Sequence, residues 1–472
     1  MYPQCDEKQL QLQGLGSRKV VASFDGGTIT SDAGGLLLRE VDLSSGILDG
    51  FADCFIDHRE AGYAEHTVRQ LVAQRVYGLC LGYEDLNDHE YLRYDPLFAA
   101  LCGQTDVDGR TRRREADAGK ALAGKATLQR LESAPAESGN LNRYHRIFHD
   151  QQRIEQFFVD HFLRHYNAGC QPGQIIIDLD ATDDPIHGSQ EGRFFHGFYN
   201  TYCYLPLYVF CEGYLLGAKL RSSNIDASLG ADTELERIIT QIRRRWPATR
   251  IIVRGDSGFA REWLMKWCED NHVEYVFGLA RNARLQRAIG QVMQQARLRF
   301  FSTGKPARRY EELRYRTRNS WSRERRVIAK AEYIAGKENP RFVVTSLRRK
   351  RWSAKRLYEQ LYCARGEMEN RIKEQQLYLF ADRTSSATMR ANQLRLWFSS
   401  VAYVLMHELR VRGLHDGELA RAQCHTIRAK VLKIGARVVV STRRIVVHIS
   451  SSYPYQDLFN RALQHIQATA LP

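Results

Sequence analysis

The sequence predicts a mixed α/β protein of several domains, in which a strand-rich centre lies between mainly helical flanking regions. Up to about residue 165, apolar residues recur at helical spacing, and from Gly173 short apolar or alternating segments are bounded by turn residues. Helical spacing returns from about residue 352. The length of 472 residues is consistent with two or three domains.

The N-terminal region, 1–165, is predicted to be mainly helical. A short strand at 20–24 precedes a helix whose cap is Ser31 or Asp32. Further helices are predicted at 66–83 and 143–166, on either side of a polar, basic loop at 103–119.

The central region, 166–400, contains most of the predicted strands. They lie at 175–181, 204–213, 215–221, 250–256 and 274–281, with helices at 231–246 and 284–298. Strands also dominate a basic segment at about 283–345, and a helical stretch at 355–380 follows it. The C-terminal region, 401–472, continues a helix at 389–411 and adds a hairpin at 436–450 and a final helix.

The charge of the chain indicates a polyanionic partner. The net charge is +15, and residues 301–356 hold 18 lysines and arginines against five acids. Six aromatic residues are interleaved with this positive charge, and arginine-rich, aromatic segments suit phosphates and unstacked bases. A solvated basic face is the simpler alternative.

Cysteine usage and hydropathy predict a cytoplasmic protein without a membrane span. The ten cysteines are scattered and form no CxxC pair, which is typical of reduced thiols. The longest strongly apolar stretch, 396–406, is too short to cross a bilayer.

Four carboxylates follow directly behind three isoleucines in the segment IIIDLDATDDP. They are Asp178, Asp180, Asp183 and Asp184, and the first two share one face of the predicted strand. Asp256 ends a second predicted strand in RIIVRGD. Carboxylates that converge in this way repel one another unless a cation or a partner compensates their charge.

A predicted helix supplies a third acid. Tyr362, Arg365, Glu369 and Lys373 are three or four residues apart, so they share one face of that helix. Two strand-end aspartates and a helix glutamate can together bind hard cations such as Mg²⁺. Two such ions about 3.5–4 Å apart can stabilise the attacking and leaving oxygens of a phosphoryl transfer.

The order Asp180, Asp256 and Glu369 resembles that of the DDE transposases of bacterial insertion sequences. The third block is similar to the group signature Tyr, Arg, Glu and Lys, with Gln376 at the expected lysine position. The stretches DLDATDDPIHG, EGRFFHGFYNTYCYLPLYVF, VRGDSGFA and MENRIKEQQLYLFADRT resemble transposase DDE domain group 1, as do FDGGTITSDAGGLLLREVD and LAGKATLQRLE near the N-terminus.

The resemblance implies an RNase H-like catalytic core with a β-rich basic insertion at about 283–345. It implies cut-and-paste transposition, with cleavage at the terminal inverted repeats and strand transfer into target DNA. It also implies two Mg²⁺ ions, replaceable by Mn²⁺, on Asp180, Asp256 and Glu369. The N-terminal region would bind the DNA ends, and the protein would act as a homodimer on DNA.

By the same resemblance, Tyr362 and Arg365 contact DNA near the cleaved end. Trp321, in the insertion, is the candidate for stacking on a flipped base. Lys373 lies on the same helix face as Glu369 and is the candidate to replace the lysine missing at Gln376.

Two rival functions are compatible with part of this pattern. Asp178-Leu-Asp180-Ala-Thr182 also matches the DxDxT signature of haloacid-dehalogenase-type phosphatases, in which Asp178 would be the nucleophile and Asp180 the acid/base. The later acid that such a phosphatase requires is absent, because Ala260 and Arg261 occupy its place. The other rival is a DNA-binding protein derived from a transposase that has lost catalysis.

Overall fold

The computed structural model describes residues 9–136, 145–166, 170–334 and 336–469, and the chain forms two compact units. Both flanking regions contribute to the first unit, so its boundaries differ from the predicted 1–165 and 401–472. The first unit comprises Met1–Asp53, Asp57–Leu131 and Glu408–Pro472, and the second comprises Cys54–Ile56 and Glu132–His407.

The strands, in chain order, are β1 (Leu10–Leu15), β2 (Arg18–Ala22), β3 (Ile29–Thr30), β4 (Phe55–Asp57), β5 (Ile147–His149), β6 (Gln174–Ala181), β7 (Asp184–Pro185), β8 (Phe194–His196), β9 (Thr201–Tyr204), β10 (Leu207–Cys211), β11 (Tyr214–Lys219), β12 (Arg250–Gly255), β13 (Glu274–Leu279), β14 (Ala307–Tyr315), β15 (Arg325–Ile334), β16 (Lys337–Glu338), β17 (Arg341–Thr345), β18 (Ala436–Val440) and β19 (Ile445–Ile449).

The α-helices are α1 (Gly35–Ser45), α2 (Ile47–Ala52), α3 (Val68–Leu81), α4 (His89–Leu92), α5 (Pro96–Leu101), α6 (Lys125–Glu132), α7 (Gln151–His165), α8 (Ala231–Arg245), α9 (Glu262–Asp270), α10 (Ala283–Ala288), α11 (Gly290–Thr303), α12 (Ala354–Arg356), α13 (Gly366–Lys373), α14 (Met389–Glu408), α15 (Cys424–Ile427) and α16 (Gln456–Ala468).

The first unit joins the two ends of the chain through backbone pairing. Strand β3 pairs with β18, and Ala33 N–H donates to the Ile434 carbonyl at 3.1 Å. Helix α3 begins at a capping box in which Thr67 and Gln70 satisfy each other's backbone N–H groups. The C-terminal region therefore shares a core with α1 and α5, a long-range pairing that local sequence patterns do not reveal.

A large mixed sheet forms the centre of the second unit. Its strand order is β11-β10-β6-β12-β13-β17-β15-β14, with β16 beside β15. Strands β6, β12 and β13 run parallel, whereas β10, β11 and the strands from β17 to β14 are antiparallel to their neighbours. The predicted central strands thus share one sheet, and the basic segment at 283–345 extends it.

Alternation along β6 assigns its two faces. Ile175, Ile177 and Leu179 are buried in the main core with residues of α8 and α9. The opposite face carries Asp178 and Asp180, which therefore point away from that core.

Among the described residues, none of the helices is long and apolar enough to cross a membrane.

Candidate active site

Asp180 and Asp256 lie side by side where two parallel strands end. In the pairing of β12 with β6, Gly255 lies opposite Leu179. Asp256 and Asp180, the residues that follow these two, are therefore adjacent. The Asp256 carboxylate accepts a hydrogen bond from the Gly258 N–H at 2.8 Å, which fixes its orientation at the start of a turn. The strand register alone therefore brings together two acids that are far apart in sequence.

The helical stretch 354–378 packs on the sheet face that carries Asp180. Leu357 and Leu361 are buried there against Ile252 of β12. The stretch is irregular, because π-helical turns at Leu357–Tyr362 and Glu374–Tyr378 lie on either side of α13. Such turns are frequent at functional sites. Glu369, the third predicted acid, lies on α13 between them.

The Arg365 guanidinium lies between two of the predicted site acids. Its Nη2 is 2.6 Å from Glu369 Oε1, and its Nη1 is 3.4 Å from Asp180 Oδ2. The Glu369 side chain is 45% exposed and that of Asp180 is 15% exposed, so the arginine spans the boundary between solvent and the interior. Sequence reasoning placed all three residues in one site, and the geometry brings them together.

The electrostatics of Asp180 are those of an acid crowded by other acids. Burial raises its pKa to about 7, the nearby Arg365 opposes this rise, and the negative charges of Asp256 and Glu369 add to it. A cation bound beside Asp180 would relieve this repulsion. The carboxylate oxygens are the hard ligands that Mg²⁺ prefers, so the chemistry of the donor set suits a divalent cation.

The carboxylates of Asp180, Asp256 and Glu369 do not surround a common metal position. In the part of the chain that the structure describes, no three His, Cys, Asp or Glu side chains are grouped closely enough to hold a metal ion. Arg365 instead pairs with Asp180 and Glu369. A cation bound there would require Arg365 to move or to share its carboxylate partners.

Asp178 has a structural partner that the sequence analysis did not identify. It lies opposite Arg254 of β12, whose Nε and Nη2 donate to the two carboxylate oxygens at 2.5 and 2.7 Å. Arg254 Nη1 also donates to the Leu361 carbonyl at 2.5 Å. Both ionic side chains are buried, so Asp178 is not presented as a nucleophile, which argues against the phosphatase alternative. The sequence did contain a signal for this pair. An arginine in the apolar segment RIIVRGD is buried when that strand is central, and a buried charge requires an acid beside it.

The other two acids of the segment IIIDLDATDDP, Asp183 and Asp184, also have separate environments. Asp184 is buried, and Thr384 Oγ1 donates to it at 3.3 Å. Burial raises its pKa well above the ordinary value. The Asp183 carbonyl accepts a hydrogen bond from Gln376 Nε2 at 2.9 Å, so Gln376 contacts the segment that follows β6.

Comparison with known proteins identifies the family. The model described as transposase DDE domain group 1 matches residues 12–471. The chain belongs to this family of DDE transposases. No curated protein matches the chain. Among solved structures, a cryo-EM structure of the piggyBac transposase synaptic complex with hairpin DNA is similar over 85% of this chain and 86% of that chain, at 12% sequence identity and a TM-score of 0.34.

Gly278 is a residue of the transposase site that sequence reasoning missed. A Cβ at this position of β13 would lie 2.6 Å from Tyr362 Oη, 2.9 Å from Ser257 N and 3.2 Å from the Asp256 carbonyl carbon. Only glycine therefore permits the Tyr362 phenol and the turn after Asp256 to approach β13 this closely.

The remaining predicted DNA contacts differ in accessibility. Lys373 is exposed at the end of α13. Trp321 is only 5% exposed and packs edge-on against Tyr315 at 5.7 Å between ring centroids, within the main core of the transposase. Its predicted stacking on a base would require the ring to leave this packing.

Only part of the charge of the basic segment is buried. Arg325 pairs with Glu262 and Glu269, and Arg326 pairs with Glu312. The interleaved aromatic side chains also serve mainly as core, although Tyr310 and Trp352 are partly exposed. The exposed basic residues of the segment 301–356 are Lys305, Arg308, Arg309, Arg314, Arg316, Arg318, Arg323, Lys337, Arg341, Arg348, Arg349, Lys350, Arg351, Lys355 and Arg356.

Proposed function

We propose that this DDE transposase cleaves DNA at the ends of its mobile element and joins those ends to target DNA, in a reaction that requires divalent cations. Asp180, Asp256 and Glu369 are the proposed catalytic ligands. The observation that carries the proposal is the register of β6 and β12, which places two of these acids next to each other beside the helix that bears the third.

The second unit, hereafter the catalytic unit, is proposed to have an RNase H-like fold. Its support is the run of three antiparallel strands, β11, β10 and β6, which is continued by the parallel strands β12 and β13. The proposed site lies where β6 and β12 end.

The cations proposed are two Mg²⁺ ions, with Mn²⁺ as a substitute. Bound to these carboxylates, they would supply Lewis-acid stabilisation of the attacking and leaving oxygens. The carboxylates would orient the cations and neutralise their charge. Removal of any one carboxylate should therefore stop DNA cleavage.

Arg365 and Tyr362 are proposed to bind the DNA strand beside the cleaved bond. Arg365 already lies at the carboxylates, and a guanidinium can pair equally well with a phosphate. Cations held by Asp180 and Glu369 would neutralise these acids and leave the Arg365 guanidinium available to a DNA phosphate. The exposed Lys373 is proposed to add a phosphate contact on the same helix.

The proposed partners are the terminal inverted repeats of the element, target DNA and a second copy of the chain on DNA. The exposed basic residues from Arg314 to Arg356 support binding to phosphates. We propose the bacterial cytosol as the compartment of action.

The test uses DNA from the edges of the gene's own mobile element, incubated with the full chain and Mg²⁺. We expect cleavage at the element ends by the wild type and by Glu367→Gln, and none by Glu369→Gln. Glu367 is the matched control, because it is an exposed glutamate two residues away on the same helix. Equal cleavage by Glu369→Gln would remove this residue from the site.

Activity of wild type on a phosphomonoester, without cleavage of DNA ends, would contradict the proposal as a whole.

A further inference from the structure

A small hairpin in the catalytic unit exposes an unusual number of aromatic rings. Strands β8 and β9 pair antiparallel, and with β7 they form a separate three-stranded sheet. The exposed fractions are 42% for Phe194, 53% for Phe195, 84% for Phe198 and 43% for Tyr202. Apolar side chains at this density cost free energy in water, so their exposure indicates a binding role.

The tip of this hairpin lies beside the carboxylates. The Tyr199 hydroxyl donates to the carbonyl of Ala181, the residue after Asp180, at 3.4 Å. The Phe198 ring packs edge-on against the Tyr199 ring at 5.0 Å between centroids. Phe198, the most exposed phenylalanine of the hairpin, therefore packs directly against Tyr199, the residue that contacts the end of β6.

The hairpin has a defined conformation. Asn200 adopts the left-handed region with φ 54°, and its N–H donates to the His196 carbonyl at 2.8 Å, which closes the turn. At its base, Ser223 Oγ donates to the Phe194 carbonyl at 2.9 Å. The rings are thus presented on a fixed scaffold, which lowers the entropic cost of binding a flat ligand.

One face of the hairpin combines aromatic rings with a cation. Phe195 is the cross-strand partner of Tyr202, and their ring centroids are 5.5 Å apart. The Arg193 guanidinium lies 3.9 Å from the Tyr202 ring centroid. Aromatic rings stack on the faces of unpaired nucleobases, and a neighbouring arginine attracts the negatively charged backbone to which those bases are attached.

We propose that the hairpin 193–202, with Phe198 at its tip, stacks on unpaired nucleobases of the DNA strand whose phosphate lies at Asp180 and Asp256. This inference rests on the proposed function, because it is the proposed phosphodiester at the carboxylates that brings bases to the tip. Arg193 favours a nucleic acid over an apolar protein surface as the occupant.

The test compares Phe198→Ala with Phe301→Ala. Phe301 is 64% exposed on α11, which packs on β14 and β15 at the far edge of the sheet from β6, so it is the matched control. The first readout is fluorescence of 2-aminopurine placed next to the scissile bond, recorded in a Glu369→Gln background that binds without cleaving. The second is cleavage of ends that are either fully paired or mismatched beside the scissile bond.

In the Glu369→Gln background, we expect 2-aminopurine fluorescence to change when the DNA is bound by the protein with Phe198 and Phe301 intact or by Phe301→Ala. With Phe198→Ala, we expect binding to leave the fluorescence unchanged. Loss of stacking on one base weakens binding by roughly 5- to 150-fold. Cleavage of paired ends by Phe198→Ala should therefore fall by at least about fivefold, and mismatched ends should restore it, because their bases are already unpaired.

Three results would overturn the inference. Cleavage and fluorescence of Phe198→Ala that equal those of the wild type would exclude the stacking role. An equal loss on paired and mismatched ends would assign Phe198 to general positioning instead. Failure of the wild type itself to bind and cleave element ends would remove both this inference and the proposed function, so the two failures are distinguishable.

Discussion

The buried pair of Asp178 and Arg254 is expected to stabilise the catalytic unit, and Asp178→Asn tests this directly. Both side chains are at most 10% exposed, and two hydrogen bonds of 2.5 and 2.7 Å join them. At an effective dielectric constant of 20, opposite charges about 4 Å apart attract by roughly 4 kcal/mol. Removing one partner of such a pair typically costs about 3–5 kcal/mol, because the other charge stays buried.

Urea unfolding of the full chain without metal, followed by circular dichroism, measures the effect. We expect Asp178→Asn to lower the free energy of unfolding of the catalytic unit by about 3–5 kcal/mol. The double variant Asp178→Leu/Arg254→Met should lose less, because it leaves no unpaired charge, although the Leu361 carbonyl loses its donor.

Asp180→Asn is the matched control on the same strand face. The folded-state pKa of Asp180, about 7, lies above its ordinary value of 3.8, so the folded state holds the extra proton between these values. The wild type therefore loses stability as pH rises from about 4 to 7, and Asp180→Asn escapes this loss. At pH 8 we expect Asp180→Asn to be at least as stable as the wild type, while Asp178→Asn is less stable. A loss under about 1 kcal/mol in Asp178→Asn would refute the reasoning.

Three further outcomes are expected. Because a cation must displace the Asp180 proton, Mn²⁺ affinity measured by titration calorimetry should fall about tenfold per pH unit below 7, and a flat profile would contradict this. Gly278→Ala should lower Mn²⁺ affinity at least about tenfold, because its Cβ would push on the Ser257 backbone and the Tyr362 phenol. Gly290→Ala, whose Cβ would meet no atom within 4 Å, should leave the affinity unchanged. Equal Mn²⁺ affinities of the two variants would refute the close approach at Gly278. Gln376→Lys adds a cation, so the slope of log binding constant for DNA against log salt should steepen by about 0.9, and an unchanged slope would place Gln376 away from DNA.

Local patterns predicted the main strands of the large sheet because each is a run of at least five apolar or alternating residues. β6 carries Ile175, Ile177 and Leu179 on one face and acids on the other, so both the strand and its polar face were readable from the sequence. The strands β7, β8 and β9 contain two to four residues, which is too short for any period, and the aromatic hairpin was therefore not predicted as structure.

Partners across the sheet were not predictable in the same way. Asp178 and Arg254 are 76 residues apart, and only the parallel register of β6 and β12 makes them neighbours. Trp321 lies in an arginine-rich segment that suggested exposure, yet it joins the main core and packs edge-on against Tyr315. The partner of Asp178 was hidden by its distance in sequence, whereas the burial of Trp321 depends on how the β14–β15 hairpin packs on the core.

The four acids behind the isoleucines do not form one cluster, and this division explains how a basic chain tolerates them. Asp178 is neutralised by Arg254, and Asp184 is buried with Thr384 and has a raised pKa. The other two are partly exposed: Asp180 faces Asp256 and Glu369, and the Asp183 carbonyl accepts a hydrogen bond from Gln376. The strand position of Asp180 also places it beside Arg365, which partly offsets the repulsion from the two other acids. A cation bound beside these acids would relieve the rest.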